Sequence, residues 1–244
     1  MKLFLASVSI FLSLTCFGQD KVIQQGSYWV RYYNQTQITD KLVFNFHLDE
    51  RALINPSRQF QLFIHAHLNY LIKPWLEVGA GGNYNWTRSN QNPDLNVPEW
   101  RPWQEATFIK PLSRKLQFQF RYRLDERFVH NTASGQELIN GYHFNWRHRF
   151  RPQLMYAWKR SEGKRDITFR FSNDFMINTG DVKDTFDQNR IYGSIQLPMG
   201  KKWSVEIGYM NQFQSRSSDD GFYDRHIIRY TFYHRVDMRK NISG

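Results

Sequence analysis

Residues 116–125 read Leu-Gln-Phe-Gln-Phe-Arg-Tyr-Arg-Leu-Asp, and this stretch decides the fold. Apolar side chains stand at every second position from Leu116 to Leu124, and Gln or Arg occupies each position between them. Successive side chains of a β-strand point to opposite faces of the sheet, so the pattern predicts a strand with one apolar and one polar face. No helical period of comparable length competes with it.

The same alternation recurs along most of the chain and predicts an all-β protein. Ten segments are clear strands, and residues 27–33, Ser-Tyr-Trp-Val-Arg-Tyr-Tyr, also resemble a strand. An eleventh strand would break the even number of strands that membrane β-barrels usually have. Either this segment lies outside the barrel wall, or a further strand is hidden and the number is twelve. We therefore expect an antiparallel up-and-down β-barrel of about 10–12 strands. The ten clear segments lie near residues 41–50, 58–72, 75–87, 101–110, 115–128, 142–157, 165–178, 186–197, 202–214 and 224–237.

The composition excludes a helical membrane protein but leaves a membrane barrel open. The 244 residues carry a formal net charge of +11, and 17% of them are aromatic. No apolar run of about 18 residues occurs, whereas a spanning β-strand exposes only alternate residues to lipid. The mean hydropathy of −0.66 is compatible with such a barrel.

The first 18 residues resemble a secretion signal. Lys2 supplies a positive charge, residues 3–14 are largely apolar, and Cys16 and Gly18 are small residues placed for cleavage before Gln19. A lipoprotein site at Cys16 is the alternative, although the adjacent Thr15 is a poor match for one. Residues 19–244 then form one barrel domain, and the mature chain contains no cysteine.

Connections and tryptophans favour a membrane barrel over a soluble one. Short turns at 73–75, 110–115, 159–165 and 198–202 alternate with longer polar loops around 87–101, 128–141, 178–187 and 214–224. Tryptophans flank both kinds of connection, as in two aromatic girdles: Trp75, Trp158 and Trp203 beside the turns, and Trp86, Trp100 and Trp103 near the loops. A soluble barrel remains the alternative, because alternation alone does not say which face points inward. We expect the cell outer membrane as the location.

Several segments carry a family resemblance. They are Tyr28-Trp29-Val30-Arg31-Tyr32, Leu48-Asp49-Glu50-Arg51, Arg121-Tyr122-Arg123 and Arg147-His148-Arg149. The chain is similar in these to the Bacteroidetes outer-membrane barrels known only as a domain of unknown function, the DUF2490-type barrels. The resemblance implies an outer-membrane barrel and supplies no catalytic or binding residue.

The strongest candidate site is a basic polar face on adjacent strands. It comprises Arg121, Arg123, Arg147, Arg149 and Arg151, with Arg170, Arg190 and Arg229 as further candidates. Guanidinium groups bind phosphate and carboxylate in bidentate fashion, and a cluster of them in a narrow lumen favours anions. The structural alternative is that Glu77, Asp125, Glu206 and neighbouring carboxylates neutralise these arginines inside a closed interior.

A second candidate is the repeated Leu-Asp-Glu-Arg, at 48–51 and at 124–127. Both copies are expected at strand ends on the loop side. Asp49 with Arg51, and Asp125 with Arg127, would form a charged rim that binds solutes, or solvated ion pairs of little consequence.

Metal and enzyme chemistry have weaker support. His65 and His67 share a strand face, but no third ligand is fixed, so we expect no metal and no cofactor. His148 falls on the apolar face, where some barrels hydrolyse lipid with Ser and His, but the flanking strands offer no serine there. No HExxH, Gly-rich phosphate loop or GxSxG occurs, and we expect a non-enzyme.

Three functions remain open at this point. The leading one is a structural or accessory component that contacts outer-membrane lipid and another outer-membrane protein. The second is a small anion-preferring channel, and the third is a lipid-modifying enzyme. A pI near 9.8 also raises nucleic-acid binding, which is not expected of an exported chain without a recognition helix.

Overall fold

The computed structural model describes residues 21–158, 165–216 and 221–239, and it is built from β-strands. The predicted signal segment 1–18 lies outside the described residues. Strands of 12 to 22 residues exceed the 9 to 11 that a tilted strand needs to cross a bilayer. The strands are β1 (Lys21–Gln37), β2 (Leu42–Leu53), β3 (Arg58–Lys73), β4 (Leu76–Arg88), β5 (Asn96–Pro111), β6 (Leu116–Ala133), β7 (Glu137–Trp158), β8 (Ile167–Gly180), β9 (Phe186–Met199), β10 (Trp203–Ser215) and β11 (Gly221–Asp237).

Eleven described strands form one closed barrel, in which each strand pairs with its neighbours in sequence. The strand count agrees with the prediction, but both explanations offered for residues 27–33 were wrong. This segment lies in β1, within the wall, and β1 pairs in parallel with β11 from Lys21–Gly221 to Gln37–Asp237. The reason is topological: sequential strands alternate in direction, so the first and the eleventh run the same way. All other strand pairs are antiparallel.

The connections at the two ends of the barrel differ less in length than the sequence suggested. We call the end with residues 38–41, 74–75, 112–115 and 200–202 the turn end, and the opposite end the loop end. The expected loop at 128–141 is mostly strand, because β6 and β7 continue as a hairpin to a three-residue turn at 134–136. The hairpin extends past the last β8 residue paired with β7, Gly180 opposite Asn145. Its backbone groups are satisfied by pairing, so polar composition alone did not make it a loop.

The polar face of the wall points inward and the apolar face outward. Asp49, Asp125 and Glu206 are almost completely buried inside, whereas Phe171 is 58% exposed and Phe108 46% exposed outside. A soluble barrel has the opposite arrangement, with apolar residues filling its interior. Inside, Trp29, Tyr192, Met210 and Ile227 form a small buried cluster. The described residues include no helix long and apolar enough to cross a membrane.

Of the six tryptophans predicted for the girdles, four are exposed outside, Trp86 is half-buried and Trp103 faces the lumen. Trp75, Trp158 and Trp203 are exposed near the turn end, and Trp100 is exposed on the outer wall. Trp103 was wrongly placed in a girdle: it is 2% exposed and faces the lumen. The reason is parity, because Trp103 shares its strand face with Glu99 and Arg101, both of which are buried inside.

Candidate functional site

The five predicted arginines of the basic face lie together on β6 and β7, which pair antiparallel. Arg121 is directly opposite Arg151, and Arg123 is directly opposite Arg149. Like charges directly opposite each other on paired strands are destabilising. Other groups must therefore compensate these guanidinium groups. Arg147 is in a different position, since its register partner is Asp125.

Three carboxylates surround the two opposed arginine pairs. Arg121 lies 3.3 Å from Glu105 and 3.8 Å from Asp174. Arg149 forms an ion pair with Asp174, and Arg123 lies 2.8 Å from Asp125. No carboxylate of the described chain lies within 4.0 Å of the fourth arginine, Arg151. The two opposed arginine pairs therefore contain one guanidinium group more than the number of carboxylates around them.

Arg147 pairs with a different acid, on β9. Its Nη2 lies 2.8 Å from Asp187, whose other oxygen accepts a hydrogen bond from Gln188. Asp125 was predicted as a partner of the basic face, whereas Glu105, Asp174 and Asp187 were not. Strand parity could have placed Glu105 and Asp174 inside. Asp187 has the parity of the exposed Ile191 and is buried because it lies at a register shift between β8 and β9. Parity does not give the register between strands, which decides which acid meets which arginine.

The predicted charged rim lies inside the lumen instead. Asp49 and Asp125 are each 0% exposed, because β2 and β6 continue beyond the Leu-Asp-Glu-Arg repeat. Asp49 accepts hydrogen bonds from Arg31 at 2.5 Å and from Arg51 at 3.1 Å. Solvated ion pairs at strand ends were expected; buried ones are observed.

The second repeat pairs differently from the first. Arg127 turns away from Asp125 and donates to Glu99 at 2.7 Å. Arg101 also donates to Glu99, at 2.6 Å and 2.9 Å, and Asn85 donates to its second oxygen. Glu99 precedes the predicted strand at 101–110 and Arg101 is its first residue, and neither was named as a candidate. Two arginines on one carboxylate leave a local excess of positive charge.

Aromatic rings hold several of the lumen guanidinium groups. The Arg51 Cζ lies 3.8 Å from the Trp29 ring centroid and 4.0 Å from that of Phe63. Arg123 is 3.6 Å from the Trp103 centroid. Such cation–π contacts are strongest when the cation is shielded from water. They fix the position of a guanidinium without cancelling its charge.

A second ion-pair cluster is centred on Glu206 of β10. Arg170 and Arg229 both form ion pairs with Glu206, the latter at 3.0 Å. The Tyr192 hydroxyl donates to Glu206 at 2.7 Å. A Cβ at Gly208 would lie 2.5 Å from the Tyr192 ring, so the missing side chain makes room for this contact. The candidate arginines 170 and 229 are thus tied to a carboxylate.

A cavity of about 660 Å³ runs through the lumen from the loop-end rim towards Glu77 and Gln119. In the part of the chain that the structure describes, its wall contains fourteen arginines and four carboxylates, which are Glu77, Glu99, Glu105 and Asp174. The acids at 49, 125, 187 and 206 are buried in the wall behind it. The accessible surface of the lumen is therefore strongly cationic.

Loops narrow the cavity at the loop end. Ser89 donates to the carbonyl oxygen of Gly135 at 2.6 Å, so the loop after β4 is attached to the β6–β7 turn. Asn90 donates to the Tyr223 hydroxyl of β11 at 3.1 Å. Because β4 and β11 are not neighbours in the barrel, this hydrogen bond crosses part of the mouth.

Histidines line one side of the cavity without forming a metal site. The rings of His47 and His65 are stacked, with centroids 4.1 Å apart and planes 5° apart, and His67 meets His47 edge-on. Parallel rings direct their nitrogen lone pairs in parallel rather than to a common point. Within the described ranges, no three His, Cys, Asp or Glu side chains are grouped to hold a metal ion.

His148 lies on the outer wall, as expected. Its Nδ1 is 2.9 Å from the Tyr122 hydroxyl and its Nε2 is 3.1 Å from the Thr179 hydroxyl. The prediction that the flanking strands offer no nucleophile to His148 concerned serine only. Thr179, near the end of β8, was missed. The hydroxyls of Tyr122 and Thr179 therefore contact both ring nitrogens.

Comparisons with known proteins identify a family and a similar solved structure. The family described as a protein of unknown function, DUF2490, matches residues 26–223. A solved structure of the NanC porin, in a rhombohedral crystal form, is similar with 14% sequence identity and a TM-score of 0.48. The alignment covers 82% of this chain and 89% of that chain. No curated protein matches the sequence.

Proposed function

Because this chain belongs to the DUF2490 family, whose description gives no function, we propose one from its lumen: the protein is an outer-membrane β-barrel that passes small anions. The observation that carries the proposal is the cavity wall, with fourteen arginines against four carboxylates. Arginine stays protonated at all physiological pH values, so this field is permanent. A narrow lumen of one charge sign concentrates ions of the opposite sign.

The outward apolar wall supports the membrane location. Exposed aromatic and aliphatic side chains cover the outside of the strands, and three exposed tryptophans lie near the turn end. Hydrocarbon solvates such a surface, whereas water does not. Closed barrels leave no strand edge unpaired, which is the condition for strands to cross lipid. A cleaved signal before Gln19 is the export route we propose.

Planar bilayer recording tests the anion pathway. The refolded barrel, shown by heat-modifiable gel migration to be folded, is inserted between two potassium chloride solutions of unequal concentration. We expect discrete openings and a reversal potential that indicates preference for chloride over potassium. Silent bilayers, or a preference for potassium, would contradict the proposal.

Double substitution of two cavity arginines provides the internal control. Arg31→Gln leaves Asp49 paired with Arg51, and Arg127→Gln leaves Glu99 paired with Arg101. The two changes together remove two positive charges without leaving a carboxylate unpaired. The anion preference should fall while the barrel remains folded.

A second candidate, the accessory role, is favoured by the hairpin of β6 and β7. Beyond the wall, Leu138, Ile139 and Tyr142 are 40%, 44% and 58% exposed. An apolar hairpin outside the wall is a surface for another protein. A native gel of detergent extracts should then show a species larger than the monomer. Replacing the three residues with serine should return it to the monomer position without loss of folding.

A further inference from the structure

Among the described residues, three of the arginines that line the cavity away from its rim have no carboxylate partner within 4.0 Å. Setting aside Arg88 and Arg216 at the rim, nine of the arginines that line the cavity lie within 4.0 Å of a carboxylate oxygen. In the part of the chain that the structure describes, Arg151, Arg190 and Arg225 do not. We call these three the unmatched series. Their guanidinium groups therefore form no direct ion pair with a described carboxylate.

The unmatched series lies on one register line across the sheet. Arg225 of β11 is opposite Gln212 of β10, and Gln212 is opposite Arg190 of β9. Arg190 is opposite Asp174 of β8. The adjacent Phe150–Phe175 pair places Arg151 of β7 beside Asp174. The three arginines therefore occupy every second strand along a single line.

This line descends through the lumen because barrel strands are tilted. Arg225 is the fifth residue of β11 counted from the loop end. Arg151 is opposite Arg121, which is the sixth residue of β6 counted from the turn end. Neighbouring strands lie about 4.8 Å apart, so successive members have backbones about 10 Å apart. That spacing is close to the Debye length in physiological salt, so an anion at one member still senses the next.

Neutral amides hold two members of the series in place. The Arg190 Nε donates to the Gln188 side-chain oxygen at 2.9 Å. Arg225 donates to Gln25 at 2.8 Å and to Gln214 at 2.5 Å.

The same amides link the two arginines to each other. Gln212 donates to both Gln188 and Gln214 at 2.8 Å, which completes a chain of hydrogen bonds from Arg190 to Arg225. Amide oxygens position a guanidinium group but carry no net charge to oppose it.

The carboxylate on the line is committed elsewhere. Asp174 forms an ion pair with Arg149 and lies 3.8 Å from Arg121. No ion pair within 4.0 Å joins Asp174 to Arg190 or Arg151, its neighbours on the line.

We infer that Arg225, Arg190 and Arg151 form successive binding steps for solutes that carry a phosphate or carboxylate group. The inference deepens the proposed anion pathway and rests on it, since it names the residues and the ligand chemistry. A guanidinium without a carboxylate partner offers its planar donors to an oxyanion. Binding at each step is weak enough for release, because one guanidinium supplies it, and the next step lies within reach.

The test measures binding to the folded barrel in detergent and does not depend on conduction. Tripolyphosphate and citrate serve as the phosphate and carboxylate probes, with sucrose as the uncharged comparison, in calorimetric titrations at constant ionic strength. We expect both anions to bind and sucrose not to bind. Arg190→Gln and Arg151→Gln should each weaken binding about tenfold, as the loss of one charge-assisted hydrogen bond predicts.

Matched controls separate a local step from total charge. Arg229→Gln removes a cavity arginine from the same strand as Arg225 but leaves Glu206 paired with Arg170. It should change affinity less than twofold, whereas Arg225→Gln should match the other two members. Arg190→Lys keeps the charge without the planar fork and should weaken binding to an intermediate degree. It replaces Arg190→Gln as the test if that variant fails to fold.

The outcomes distinguish this inference from the proposed function. Equal weakening by Arg229→Gln and by the unmatched series, or no binding of either anion to the native barrel, would overturn it. Binding of one probe only, with the expected pattern among variants, supports it and narrows the ligand to that chemistry. Silent bilayers from a barrel that binds the probes would remove the pathway and leave the binding steps standing.

Discussion

The guanidinium carbon of Arg123 lies 3.6 Å from the ring centroid of Trp103, and both side chains are buried in the lumen. The same guanidinium donates to Asp125 at 2.8 Å. One ring face and one carboxylate therefore fix an arginine that stands directly opposite Arg149. The contact stabilises a crowded pair of like charges.

Trp103→Ala should destabilise the barrel by about 3 kcal/mol, because a large buried ring is removed and Arg123 loses its support. Urea titration of the barrel in lipid vesicles, followed by heat-modifiable gel migration, measures the change. Trp100→Ala is the matched control on the outer face of the same strand, where the side chain is 47% exposed. Equal losses from the two substitutions would contradict the role assigned to Trp103.

Trp103 also shows what the sequence could and could not predict. Alternation predicted the strands and which residues share a face, because a period of two is a local property; the connections and tryptophans favoured a membrane barrel. A tryptophan near a loop resembled a girdle residue, and the prolines at 98 and 102 obscured the parity that places Trp103 with Glu99. The residue type of Trp103 suggested the outer face, whereas its strand parity places it in the lumen.

The ion pairs of the lumen could not be predicted in the same way. Arg149 pairs with Asp174 and Arg147 with Asp187, across one and two strand boundaries. These pairings depend on register, which turn lengths and strand tilt set jointly for the whole barrel. The parallel closure of β1 on β11 is likewise a global result, since it follows from the total number of strands.

Because the outer face of β6 is apolar and its inner face lines the cavity, an added charge should be tolerated on the inner face and not on the outer one. Phe120→Arg places a charge on the outer wall, opposite the exposed Phe108, and should cost about 2–4 kcal/mol if it lies near the bilayer midplane. Gln119→Arg adds the same group on the cavity side. It should cost far less. Vesicle refolding yield and urea midpoints measure both, and the reverse order would show that the faces are wrongly assigned.

Parallel closure predicts that Lys21 and Asp237 lie on opposite sides of the membrane. Single cysteines at positions 21 and 238 can be labelled with a membrane-impermeant maleimide. With the turn end in the periplasm, Lys21→Cys should be labelled in intact cells and Met238→Cys only after permeabilisation. The native chain, whose one cysteine is Cys16, provides the blank. Equal labelling of both variants in intact cells would rule out an odd-stranded barrel.

Glu206 is expected to be the most costly carboxylate of the lumen to remove, because it faces two arginines and two tyrosine hydroxyls. Arg170, Arg229, Tyr192 and Tyr233 all contact its side chain, which is 1% exposed. Glu206→Gln leaves both guanidinium groups without their carboxylate, which should lower the free energy of unfolding by about 3–5 kcal/mol. Urea midpoints in vesicles measure the loss.

Glu206→Gln should also increase the anion preference in planar bilayers, because it adds unneutralised arginine to the lumen. Glu137→Gln, at an exposed position on the hairpin, should change neither the free energy of unfolding nor the anion preference. Adding Arg170→Gln to Glu206→Gln should restore part of the lost stability, since one of the two unneutralised guanidinium groups is removed with it. If Glu206→Gln lowers stability but the second substitution restores none of it, the loss arises from packing around Tyr192 rather than from the ion pairs.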